Sequence, residues 1–84
     1  MDSIEMPKYI CHKEVHALEI VSISYDSDGS AIILPADVNY AVFRVSRDYV
    51  LKHMPEIGGY YVVYKDGYES FSPKIAFEEG YTKI

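Results

Sequence analysis

Residues 58–73 read Gly58-Gly59-Tyr60-Tyr61-Val62-Val63-Tyr64-Lys65-Asp66-Gly67-Tyr68-Glu69-Ser70-Phe71-Ser72-Pro73. Two β-prone runs flank Asp66-Gly67, the dipeptide that most strongly signals a hairpin, because a type I′ turn requires positive φ at both central residues. A two-residue loop there pairs Lys65 with Tyr68, Tyr64 with Glu69, Val63 with Ser70 and Val62 with Phe71. Cross-strand partners share a face. This register predicts a core face of Tyr60, Val62, Tyr64 and Phe71, and an opposite, hydroxyl-rich face of Tyr61, Val63, Lys65, Tyr68 and Ser70. Ser72-Pro73 then opens a helix, with Ser as N-cap and Pro at the first helical position, where a missing N–H costs nothing. Phe77 faces inward, Gly80 closes the helix in the left-handed conformation, and residues 81–84 add a terminal strand.

Upstream, residues 46–54 read as a short helix. Ser46 caps it, Asp48 lies near the positive end of the helix dipole, and Pro55 stops it. Its buried stripe is read as Val50, Leu51 and Met54. Residues 40–45 alternate as a strand, with Ala41, Phe43 and Val45 on one face and Tyr40, Val42 and Arg44 on the other. Residues 31–34 form a short apolar strand ended by Pro35, and Asp26-Ser27-Asp28-Gly29-Ser30 before it is a turn. Residues 9–25 favour strand, but the alternation changes parity, as a bulge near Ala17-Leu18 or burial of both faces would produce. A helix over 13–21 competes for the same apolar run. Residues 1–7 read as a loose leader. The expected core is Phe43, Leu51, Val62, Phe71 and Phe77. The expected fold is α+β: a small, mainly antiparallel sheet with two short helices in a single domain spanning 1–84.

Composition narrows the function classes. A chain of 84 residues is near the size at which one core barely suffices, so self-association into a homo-oligomer is expected. The net charge of −5 and eight scattered basic residues argue against nucleic-acid binding, which needs clustered cations. Nothing resembles a membrane span or a signal peptide, and the single cysteine fits a reducing compartment. Localisation in the cytoplasm of a host cell is the matching expectation.

Two further stretches extend the pattern: Tyr9-Ile10-Cys11-His12-Lys13-Glu14-Val15-His16-Ala17-Leu18, and Ala76-Phe77-Glu78-Glu79-Gly80-Tyr81. With residues 58–64 and 66–73 they resemble a family of short proteins from tailed phages and prophages. The C-terminal half is also similar, more distantly, to a widespread small phage domain that ends in an aromatic hairpin and a helix. The resemblance covers most of the chain outside residues 22–39. It implies a phage accessory product. Many such proteins act against host defences, and some of this size are oligomers that sequester nucleotide-derived immune signals.

Catalytic and metal chemistry finds little footing. On a strand, His12 and His16 stand roughly 13 Å apart, too far to share one zinc, and with Cys11 they still lack a fourth ligand. Asp26-Ser27-Asp28-Gly29 lacks the spacing of a calcium loop. Cys11 with His16 or His53 as base carries no family signature, and a buried thiol is the plainer reading. Glu78 and Glu79 point apart on a helix, and Gly58-Gly59 is too short to cradle a phosphate. No catalytic residue, metal or cofactor is expected.

The tyrosines carry the rest. Each pairs a flat apolar face with a polar tip, suited to stacking or to protein interfaces. The expected ligand-binding set is Tyr61, Tyr68 and Ser70, with Arg44 or Arg47 as an anion contact. Three functions compete: a non-enzymatic phage protein sequestering a nucleotide-type signal, a protein-interaction module that inhibits a host protein or assists virion assembly, and, last, a small hydrolase using His or Glu.

Overall fold

The structure, a computed structural model, describes residues 6–10, 14–80 and 82–83. Among these described residues, seven strands and two helices follow in the order β1 (Lys8–Ile10), β2 (Glu14–Tyr25), β3 (Ala31–Pro35), β4 (Phe43–Val45), α1 (Arg47–His53), β5 (Tyr60–Tyr64), β6 (Glu69–Ser72), α2 (Lys74–Gly80) and β7 (Thr82–Lys83). All pairings among the described residues are antiparallel. The expected α+β class holds, and the segment read as either strand or helix is strand over its described part, residues 14–21. No helix among the described residues is long and apolar enough to cross a membrane.

The long strand β2 organises the molecule. Its first half lies between β1 and β5, and its second half pairs with β3, which in turn pairs with β4. Where it passes between the two, the register with β3 shifts between Ile20 and Ser22. An extra residue in one strand bends it and switches the faces beyond it. The bulge thus lies at Val21, not at Ala17-Leu18, where Ala17 and Leu18 are instead buried on opposite faces. β2 and β5 are therefore sandwiched, and two cores form. Val15, Ala17, Tyr60, Val62 and Phe77 pack beneath α2, with Phe77 stacked on Tyr60 at 4.1 Å. Ile20, Ala31, Ile33, Val45, Tyr49 and Tyr61 make the other core, with Phe43, Val50 and Phe71 packed against it.

The hairpin register differs from the expectation by one residue. Tyr61 pairs with Phe71, Val62 with Ser70 and Val63 with Glu69. Tyr64 N donates to Tyr68 O at 2.9 Å and Gly67 N donates to Tyr64 O at 2.8 Å. The loop is therefore three residues, Lys65-Asp66-Gly67, with Gly67 at φ 91°. That is a type I turn closed by a left-handed glycine, a hairpin form that accepts the same Asp-Gly dipeptide. The Asp66 carboxylate further favours it by accepting from Tyr68 N at 3.0 Å. A slip of one residue moves a strand's side chains to the other face. Phe71 accordingly joins Tyr61, while Ser70 and Tyr68 fall on the side of Tyr60, Val62 and Tyr64.

Other boundaries shift for local reasons. Residues 40–42 precede β4 rather than belonging to it. Ser72 stays in β6, and the first helical bond of α2 runs from Phe77 N to Pro73 O, one residue later than a Ser72 cap would give. Gly80 ends α2 without entering the left-handed region. Ser46 does cap α1, its hydroxyl accepting from Tyr49 N at 3.1 Å. The buried face of α1 is Tyr49 with Val50, whereas Leu51 is 64% and Met54 71% exposed. Helix α1 is only seven residues long and rests on a single face, so a rotation of one position exchanges Tyr49 for Leu51 in the core. Of the leader, residues 1–5 lie outside the described residues. Met6 packs against a core and Pro7 O accepts from Ala17 N at 3.0 Å, so this part is tied to the sheet.

Candidate functional site

The face expected to recognise a ligand is divided by the corrected register. Tyr61 is 8% exposed and its hydroxyl donates to Glu69 Oε2 at 2.5 Å. Burial first, and then the Glu69 carboxylate beside it, push its ionisation well above the ordinary tyrosine range. Tyr49 is shifted the same way for the same causes, and its hydroxyl donates to Ser70 O at 2.6 Å, which seats α1 beside β6. These are structural hydroxyls.

Tyr68 remains at the surface, 42% exposed. Its ring stacks on Tyr64 at 5.9 Å, Lys52 Nζ lies 5.1 Å from its centroid, and its hydroxyl is 3.3 Å from His53 Nε2. Tyr68, Lys52 and His53, together with Ser46, Asp48, Tyr49, Gly67 and Glu69, line an open cleft of about 330 Å³. His53 is held below its ordinary pKa by burial and then by the neighbouring Lys52 charge, with Glu69 opposing. The last turn of α1 and the 65–67 loop bring these groups together, and only the tertiary fold makes them neighbours. The cleft offers stacking, hydrogen bonding and mixed charge, which suits recognition.

The two arginines lie elsewhere. Arg44 pairs with Asp26 and donates to Ser30 Oγ at 2.7 Å. Asp28 accepts from Ser30 N and Oγ at 2.9 and 2.7 Å, and these bonds hold its carboxyl below the usual range. The Arg47 side chain covers Gly29, where an added Cβ would meet its Cγ at 2.9 Å. Both arginines therefore brace the 26–30 turn, and neither lines the Tyr68 cleft. Ser70 contributes its carbonyl to α1 rather than its face to a pocket. The five expected site residues do not converge.

The remaining candidates are quickly placed. Among the described residues no group of three or more His, Cys, Asp or Glu is arranged to hold a metal ion. Cys11 and His12 lie outside the described residues. Glu78 accepts from Tyr60 OH at 2.9 Å and pairs with Lys74 at 3.3 Å, and these partners keep its pKa low, so it locks α2 to the sheet.

A second surface was not visible in the sequence. Two adjoining open grooves of about 400 and 260 Å³ share Glu56. Tyr25, Leu51 and Met54 flank one, Ile57 and Ile75 the other, and all five are among the exposed large hydrophobics. No periodic signal marks these residues, because they come from β2, α1, α2 and the loop between α1 and β5.

No family model matches the chain, and no curated protein matches it. Among solved structures, it is similar to the monomeric form of the phage L decoration protein, determined in solution by NMR. The likeness has a TM-score of 0.71 and 35% identity, and covers 95% of this chain and 60% of the other. The chain thus spans about 60% of the length of that protein. The likeness supports the reading of the chain as a phage protein.

Proposed function

We propose that this chain is a non-enzymatic, virion-associated phage protein that binds the assembled shell, in the manner its similarity to a decoration protein suggests. The observation that carries the reading is the structural likeness at 35% identity across 95% of the chain. It favours the assembly role over sequestration of a nucleotide-type signal. The geometry supports the same preference: Tyr61 is committed to the core, and Arg44 and Arg47 are engaged with the 26–30 turn and do not line the Tyr68 cleft. In this reading Tyr68, Lys52 and His53 supply contacts at the polar, solvent-accessible rim of a protein interface. Attachment takes place where heads mature, in the host cytoplasm, and self-association of so small a domain belongs to the same proposal.

Co-sedimentation with expanded empty heads of the phage that encodes the chain tests the reading. Saturable binding is expected, together with no thermal shift from cyclic or ADP-ribose-type nucleotides. Absence of head binding with a nucleotide-dependent rise in melting temperature would overturn it.

A further inference from the structure

We infer that the strip formed by Tyr25, Leu51, Met54, Ile57 and Ile75 around Glu56 is the face that docks on the shell, and that the shell meets it with a Lys or Arg flanked by apolar side chains. The inference rests on the virion reading above. Five large apolar side chains, each exposed by more than half, surround the two grooves. Together they present an apolar surface of a few hundred Å², about the size of the largest patch on an ordinary monomer, which is often functional. The area is a substantial part of the ~800 Å² that each partner contributes to an ordinary stable interface.

The backbone points the same way. Met54 ends α1 in the left-handed region, at φ 48° and ψ 60°. Glycine is the usual residue there, and any residue with a Cβ is disfavoured. The side chain is 71% exposed, so a large apolar residue occupies a strained position with most of its surface open to a partner.

Charge selects the partner. Glu56 stands between the grooves, and its carboxylate has no hydrogen bond or ion pair among the described residues. Lys74, on the rim of the second groove, is engaged with Glu19 at 3.0 Å and Glu78 at 3.3 Å. A second copy packed across a two-fold axis here would bring Glu56 against its own image and unite two chains of net charge −5. Like charges brought together in a desolvated interface are costly. A cation framed by apolar side chains complements the strip, and a shell protein presenting one is the occupant.

The experiment measures affinity for expanded empty heads by co-sedimentation for the wild type, Leu51→Ser, Met54→Gly, Glu56→Gln, Glu56→Lys and, as a control on the face of the sheet opposite Tyr25, Leu34→Thr. Leu51→Ser and Met54→Gly are each expected to weaken binding about tenfold. Glu56→Lys should weaken it more than Glu56→Gln, and Leu34→Thr should leave it unchanged. Thermal melts keep folding separate from binding, since Met54→Gly relieves backbone strain and should melt no lower than the wild type. Wild-type binding with every strip variant within twofold would overturn the docking face and leave the virion reading standing. Failure of the wild type to bind heads would overturn both. Strip variants that abolish a wild-type dimer in sedimentation velocity, without changing head binding, would show that a second copy covers the strip and would likewise overturn the inference.

Discussion

Gly58 and Gly59 adjoin in sequence yet are required for different physical reasons, and substituting each in turn separates them. At Gly58, φ is 91° and an added Cβ meets nothing within 4 Å. Gly58→Ala should cost only the left-handed strain, about 1 kcal/mol. At Gly59 no positive φ is involved, but a Cβ would lie 2.4 Å from Phe71 Cε1 and Cζ and 2.9 Å from the Ser72 carbonyl oxygen. Ordinary contact begins near 3.4 Å, so the Phe71 ring must retreat by about 1 Å. Phe71 packs against the core that holds Tyr61, and the Ser72 carbonyl is backbone, so the displacement disturbs both. Overpacking of this kind costs about 1–3 kcal/mol, offset by less than 1 kcal/mol from the stiffer unfolded chain. A net loss of about 2 kcal/mol corresponds to roughly 8–16 °C in melting temperature for a domain of this size. Thermal and urea unfolding of Gly58→Ala, Gly59→Ala, Phe71→Leu and the two double mutants is the assay. Phe71→Leu should relieve Gly59→Ala with a coupling above about 0.5 kcal/mol and do nothing for Gly58→Ala. Asn should be tolerated at position 58 and not at 59. Equal small losses at both sites, or no coupling between 59 and 71, would refute the packing argument.

Phe77→Ala should cost about 3–5 kcal/mol in urea unfolding, because this ring is fully buried against Tyr60. Leu51→Ala, at a position 64% exposed, should change stability by less than about 0.5 kcal/mol in the same assay. Tyr61→Phe removes a hydrogen bond to a carboxylate and should cost about 1.5–3 kcal/mol, with Glu69→Gln recovering part of the loss in the double mutant. His53 has a folded pKa below its unfolded value of about 6.5, so the neutral ring favours the native state. The stability it contributes is present above pH 6.5 and is lost as pH falls through the lowered value. His53→Gln should flatten the stability profile in that window and leave the more acidic part, governed by carboxylates such as Asp28 and Glu78, unchanged.

The class of fold, the turn at residues 26–30, the Ser46 cap and the Asp-Gly hairpin were legible in the sequence, because each depends on interactions within a few residues. A serine hydroxyl reaches its own helix's first amides, and a glycine's φ is settled by its own turn. Periodicity likewise marked Val62 and Phe77 as core. The hairpin register was not legible: Asp66-Gly67 is compatible with loops of two or three residues, and the burial of Tyr61 against Phe43, with Phe71 packed on the same core, selects between them. The same holds for the rotation of α1, where Tyr49 displaces Leu51 because Ser70 O and Tyr61 await it across the fold. The surfaces were legible least of all. The Tyr68 cleft and the apolar strip around Glu56 join residues from separate elements, and no spacing along the chain records a neighbourhood that exists only once β2 has bent at its bulge and the helices have packed on its sheets.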